Sequence, residues 1–166
     1  MKKQRASDRW RAEEGPTEEQ QDASRYYIDL AVESERNQAL SMLVGGRRCF
    51  QCQQGESVES VTAADPTEHM ERIATHCSQT SDYLLPDTPL KEAIFRALLA
   101  GENRPMTAAE IGNELGAKWA MSAHTRDISP DVLKVLLNSS QSYRIVRVPD
   151  PEPVEEKTGG PEDGTG

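Results

Sequence analysis

The sequence is short of apolar material. Hydrophobic residues make up 36% of its 166 positions, against roughly 45–50% in ordinary globular chains. Part of the chain is therefore expected to stay outside any packed core. No apolar run approaches the ~20 residues that a bilayer-crossing helix requires. The basic start Met1-Lys2-Lys3-Gln4-Arg5 is not followed by an apolar stretch, so it does not read as a secretory signal. A cytoplasmic protein without membrane contact is the expectation.

Positive charge is also lacking. The net charge is −9, spread as 0 over residues 1–25, −5 over 26–85, +1 over 86–149 and −5 over 150–166. The usual basic footprint of a nucleic-acid binder is absent from the whole chain. Catalytic signatures are missing too. There is no phosphate-cradling G-x-x-x-x-G-K-[ST], no G-x-G-x-x-G, no H-E-x-x-H and no G-x-S-x-G nucleophile elbow. No enzyme and no small-molecule substrate are expected.

What is present begins with cysteine. All three cysteines and two of the three histidines fall within 29 residues. Cys49-Phe50-Gln51-Cys52 places two thiolates in one tight turn, which suits tetrahedral zinc. His69, His76 and Cys77 follow. An odd cysteine count leaves a disulfide scheme with one unpaired thiol, and such clustering in a cytosolic chain points to metal. Two ligand sets arise, Cys49, Cys52, His76 and Cys77, or the same cysteines with His69. The second set, with spacing C-x2-C-x16-H-x7-C and Asp65-Pro66 ahead of the histidine, resembles the BIR zinc domains of apoptosis inhibitors. The glycine and aromatic core positions of that family are not matched, so no function is carried over. Geometry argues for His76. Residues eight apart in an unbroken helix are about 12 Å apart along its axis, too far for one ion with bonds of about 2 Å. His76 and Cys77 need only a local turn. Four protein ligands leave no place for water, so the expected Zn2+ is structural, one per chain.

Around this cluster the chain reads as mainly α with short β. Residues 1–25 form a polar arm with Trp10 its one large apolar residue, and 150–166 an acidic tail, both expected to be disordered. Residues 26–85 form the zinc-stabilised module. It has a short strand from Tyr26, then a helix over 35–44 with Ala39, Leu40, Met42 and Leu43 on its apolar side and Gly45-Gly46 at its end. A loop or hairpin follows over 53–64, then a helix over 66–76 opened by Pro66. Residues 86–149 carry three helices. The first has Leu90, Ile94, Ala97 and Leu98 on one face. The second opens with the capping box Thr107-x-x-Glu110, faces Ile111 and Leu115 inward and stops at Gly116. The third follows Ser129-Pro130, with Val132, Leu133, Leu136 and Leu137 inward. A strand over 143–148 completes the segment.

This order resembles a winged-helix or helix-turn-helix module. The resemblance implies a third helix near the major groove, with Lys134, and Arg144 and Arg147 in the wing, meeting phosphates. Arg47, Arg48 and Arg126 complete the basic clusters and read as surface charge. Trp119, with Leu115 and Met121, reads as core or as a partner-binding spot. Two functions remain open: a zinc-binding module that contacts DNA as a transcription-associated regulator, and a zinc-stabilised adaptor that docks a protein.

Overall fold

The computed structural model describes residues 23–31, 34–123 and 126–151. Most of the arm with Trp10, the tail from residue 152, and His124 lie outside the described residues. Arg25, at the end of the expected arm, opens the first strand.

The chain is α+β, with helices around a small antiparallel sheet. Strand β1 (Arg25–Ile28) turns Tyr26 and Ile28 into the core, as the pleat dictates for residues two apart. Helix α1 (Ser34–Gly45) buries Leu40, Ser41 and Val44. Ala39 and Met42, expected on the apolar side, are exposed, because the buried face turns toward α3 and α4. The C-x-x-C segment is itself one helical turn, α2 (Phe50–Gln53).

The loop or hairpin expected over 53–64 contains a helix instead, α3 (Val58–Ala63), whose N-cap Ser57 accepts from the Ser60 amide. It has no buried face, so no periodicity announced it. Capping and contact with α1 hold it. Helix α4 (Pro66–Thr75) starts as expected, with Pro66 in its first turn and the Asp65 carboxylate accepting from the Thr67 amide at 2.8 Å.

Helix α5 (Leu90–Ala100) buries Ala93, Ile94, Phe95, Ala97, Leu98 and Leu99, more than one stripe, because α4, α6, α7 and the sheet all surround it. Strand β2 (Met106–Thr107) leads straight into α6 (Ala108–Trp119), and both hydrogen bonds of the Thr107–Glu110 capping box are made. The stop expected at Gly116 does not occur. The helix runs one turn further, burying Trp119, whose indole N–H donates to the Leu84 carbonyl at 3.1 Å. Trp119 is core, whereas Met121 is exposed. The glycines of α6 serve packing. A Cβ at Gly112 would lie 2.8 Å from the Ile128 carbonyl oxygen, so the returning chain crosses there at backbone distance. Helix α7 (Pro130–Asn138) buries Leu133 and Leu137. Strand β3 (Ile145–Arg147) follows a short 3-10 turn.

The strand order is β2-β1-β3, all antiparallel. No wing strand follows β3 among the described residues; its partner is β1, from the other end of the chain. The core is likewise continuous. Leu40, Val44, Ile73 and Cys77 belong to one buried cluster with Ile94, Phe95, Leu115 and Leu133. Residues on both sides of the border expected at residues 85 and 86 share that core.

At the short β2 edge the ladder is completed by a side chain. Asn103 accepts from the Ile28 amide at 2.7 Å and donates to the Ile28 carbonyl at 2.8 Å. Its left-handed backbone (φ 57°), one that Asn tolerates, aims the amide at the strand. Asn103→Ala should lower unfolding free energy by about 1–3 kcal/mol, because both polar groups of a fully buried residue lose their partner. Urea titration measures this, and a loss below about 0.5 kcal/mol, the range of ordinary surface substitutions, would show that the amide does not close the sheet edge.

Candidate metal centre

The cluster forms where two chain segments meet. Gly45 ends α1 against α3 and α4; a Cβ there would lie 2.6 Å from Val61 Cγ1 and 3.1 Å from the His69 ring. Only glycine allows this approach. The chain then turns through Arg47 and Arg48 into Cys49, the residue capping α2. From the other side, α4 ends at Thr75. His76 leaves the helical conformation (φ −126°, ψ −61°), and Cys77 opens a 3-10 turn. The break brings His76 and Cys77 to the same point.

The ligand atoms of Cys49, Cys52, His76 and Cys77 all lie within 4.8 Å of one another. His76 Nδ1 is 3.5 Å from Cys49 Sγ and 3.4 Å from Cys52 Sγ. With Zn–S and Zn–N bonds of about 2.3 and 2.0 Å, the S···N edge of a tetrahedron is about 3.5 Å and the S···S edge about 3.8 Å. The donors present therefore fit a four-coordinate ion with little contraction. Cys49 and Cys77 are buried, Cys52 is half-buried and His76 is exposed.

His69 lies elsewhere. It is buried, and its Nε2 is 2.8 Å from the Val61 carbonyl oxygen, to which it donates. It fastens α4 to α3 and has no part in the cluster.

Cys49 and Cys77 do not titrate alike. Burial pushes the Cys77 thiol up to about 12. Burial acts the same way on Cys49, but hydrogen bonds from the Cys52 and Gln51 amides and from the neighbouring thiols outweigh it and bring Cys49 below its ordinary value. A bound cation would override both, because a coordinating thiol is deprotonated outright.

Arginines frame the centre, which their reading as surface charge did not anticipate. Arg48 is buried; it donates to the Gly45 carbonyl at 3.1 Å and grips the Glu56 carboxylate with two nitrogens. Its charge acts on the Cys52 and Cys77 sulfurs. Arg47 donates to Glu92 of α5 through two bonds of 3.0 Å, and its guanidinium lies 5.4 Å from the Phe95 ring centroid. Glu92 also accepts from Arg96 at 2.8 Å. The cysteine loop is thus closed on itself by Arg48 and tied to the helical core by Arg47. No spacing rule marks Glu56 or Glu92 in advance, as each is one acidic residue among many.

Lys134, Arg144 and Arg147 do not form a site of this kind. Arg144 donates to the Asp29 carbonyl at 2.8 Å and pairs with the Asp29 carboxylate at 3.3 Å. Arg147 pairs with Asp150 at 3.0 Å. Lys134 is half-buried on α7. Arg126 lies over the Trp119 ring at 5.6 Å and donates to the Pro86 and Thr88 carbonyls.

Cys52 and His76 also line an open groove of about 810 Å³ with Glu56, Glu68, Glu71 and Arg72 on its walls. Glu68 and Glu71 of α4 therefore border the Cys–His cluster.

Two outcomes follow from this geometry. His76→Ala should strip the chain of most of its metal. His69→Ala should keep the metal and instead lower stability by about 1–3 kcal/mol, through the orphaned carbonyl and the lost packing. Metal content and urea titration of the two variants separate these roles, and the reverse pattern would place the fourth ligand at His69. Proton release is the second check. At pH 7 the Cys77 thiol is protonated in the metal-free chain, because burial raises it to about 12. Binding should release at least about one proton, that of Cys77, and affinity should fall as pH is lowered. Calorimetry in buffers of different ionisation enthalpy counts them; fewer than about one would mean that thiolates are not the donors.

The chain matches no known family model, no curated protein and no solved structure, so the reading of this centre rests on its geometry.

Proposed function

We propose that the chain is a non-catalytic protein-interaction module whose cysteine loop is locked to the end of α4 by one structural Zn2+. The carrying observation is the convergence of three sulfurs and one imidazole nitrogen within 4.8 Å. Soft thiolate donors with one imidazole suit zinc, and a full set of four gives a structural rather than a hydrolytic ion. In the bound state Zn2+ supplies a fixed tetrahedral joint and no reactive water. Cys49 and Cys52 anchor the loop over 46–57, while His76 and Cys77 anchor the end of α4. Arg48 offsets the excess negative charge of three thiolates around a divalent ion. A reducing, cytoplasmic location fits three unpaired thiols and is part of the proposal. No helix among the described residues is long and apolar enough to cross a membrane.

A protein partner is favoured over DNA by the use already made of the cations. The helices α5, α6 and α7 with β3 are read as winged-helix-like, but Arg144 and Arg147, expected in a wing, are paired with Asp29 and Asp150. The α7 surface offers exposed Asp131, Val135 and Asn138, an acidic and apolar mixture. Such a face offers phosphate little attraction and suits a protein.

Metal analysis of protein purified without chelator should give about one zinc per chain. Iron in place of zinc, or no metal, would overturn the assignment. In a low-salt titration with a mixed-sequence duplex no saturable binding is expected. Binding that disappears on joint replacement of Lys134, Arg144 and Arg147 by Ala, in a variant still folded by circular dichroism, would establish the DNA-contacting reading instead.

A further inference from the structure

The four donors of the cluster are not equally reachable. Cys77 is fully enclosed and Cys49 is 6% exposed, whereas Cys52 is half-buried and its side chain lines the open groove beside α4. Cys49 and Cys52 share one turn of α2, with the Cys52 amide donating to the Cys49 carbonyl at 3.0 Å. Their sulfurs belong to a set spanning no more than 4.8 Å. Two thiols in a C-x-x-C turn, one wet and one dry, are the arrangement in which an oxidised sulfur finds a second sulfur before it meets another oxidant.

We propose that Cys52 is an oxidation site for hydrogen peroxide, and that its capture by Cys49 as a disulfide expels the metal and unclasps the loop over residues 46–57. Peroxide enters by the groove. The Cys52 sulfur attacks one peroxide oxygen, the O–O bond breaks, and hydroxide leaves with the electron pair. Cys52 becomes a sulfenic acid. The Cys49 thiolate then attacks the Cys52 sulfur, the S–O bond breaks, and a second hydroxide leaves. Two protons from the medium convert the hydroxides to water. The two sulfurs have lost two electrons in all, and one peroxide has gained them.

His76 and Cys77 then remain as the only donors of the set, two short of a tetrahedral zinc site. The rest of the module does not depend on the joint. His69 still holds α4 to α3 through the Val61 carbonyl, and the Ser41 hydroxyl still donates to the Ala64 carbonyl at 2.6 Å. Oxidation therefore frees one loop, with exposed Phe50 on it, and leaves the helices packed. The metal-release half of this inference rests on the zinc reading above; the order of thiol reactivity does not.

The test uses the full chain, with its metal content measured first. Zinc-loaded protein is treated with graded hydrogen peroxide, and released zinc is followed with a chromogenic chelator. Non-reducing peptide mass mapping locates the bond. Zinc should leave in step with a Cys49–Cys52 disulfide, and thiol reductant plus zinc should restore the starting state. In parallel, the metal-free chain is treated with iodoacetamide, and Cys52 should be alkylated at least about tenfold faster than Cys77, in line with its access. Zinc retained through a large excess of peroxide, a disulfide to Cys77, or Cys77 alkylated as fast as Cys52 would each overturn the proposal. A chain that carries no metal at the outset would sink the zinc reading, while the alkylation order would still decide which sulfur is the site.

Discussion

Three thiols and an imidazole are held at one point between the start of α2 and the end of α4, and that crowding has a cost. Without a cation, Cys77 sits as a buried thiol whose ionisation is pushed up to about 12. The loop that brings Cys49 and Cys52 there is short and polar, with nothing buried in α2. A loop with so little apolar surface cannot offset the entropy of ordering its backbone, about 1–2 kcal/mol per residue. Two things can offset it: coordination, whose free energy in such sites is also folding free energy, and the arginine contacts on either side. Arg48 closes the loop on Glu56, and Arg47 fastens it to Glu92. The Cys–His cluster is better described as the last link of a polar clamp than as an isolated knuckle.

The clamp matters because of how the chain is threaded. β1 lies early in sequence yet sits between β2 and β3, so residues near 25 complete a sheet built by residues near 106 and 146. Everything from α1 to α4 is then a long excursion between the central strand and its two neighbours. Closing such an excursion carries an entropic cost that grows slowly with length. The excursion returns to α5 through two kinds of contact, the apolar packing of α4 on α5 and the Arg47–Glu92 bridge. The Cys–His cluster lies at the base of the second. This is why the core does not divide near residue 85, although composition and charge change there.

The elements that were legible in the sequence are those whose signal is local. The C-x-x-C pair, the Asp65-Pro66 start, the Thr107–Glu110 box and the apolar face of α5 each depend on residues within one or two turns, and each has its expected form. The misses have tertiary causes. Gly116 looked like a stop because Gly ends helices, but Trp119 one turn later finds the Leu84 carbonyl and the core, and that burial carries α6 through. Met42 looked buried by type, but the side of α1 that meets α3 and α4 is the one with Leu40, Ser41 and Val44. Helix α3 was invisible because it buries nothing and lives on its cap. At the centre, the two cysteine segments could be named in advance. The break at His76 made one histidine the easier ligand, yet the occupation of His69 by the Val61 carbonyl could not be known without the position of α3.

The same logic governs the cations, and it bears on partner choice. A guanidinium can serve the fold or a phosphate, and the C-terminal segment has few to spare at a net charge of +1 over residues 86–149. Arg144 sits in a left-handed turn (φ 56°) that points its side chain back to Asp29, so its conformation as well as its charge is committed to β1. Arg126 spans from Trp119 to the Pro86 and Thr88 carbonyls and holds the return from α6 to α7. Moving either to a phosphate would leave buried or half-buried carbonyls without a donor, a loss of about 1–3 kcal/mol each, comparable with what a single charge-assisted hydrogen bond contributes. Binding DNA through these residues would gain little net free energy. A protein surface that packs on the exposed Val135 requires no such exchange, which is the physical reason for preferring it.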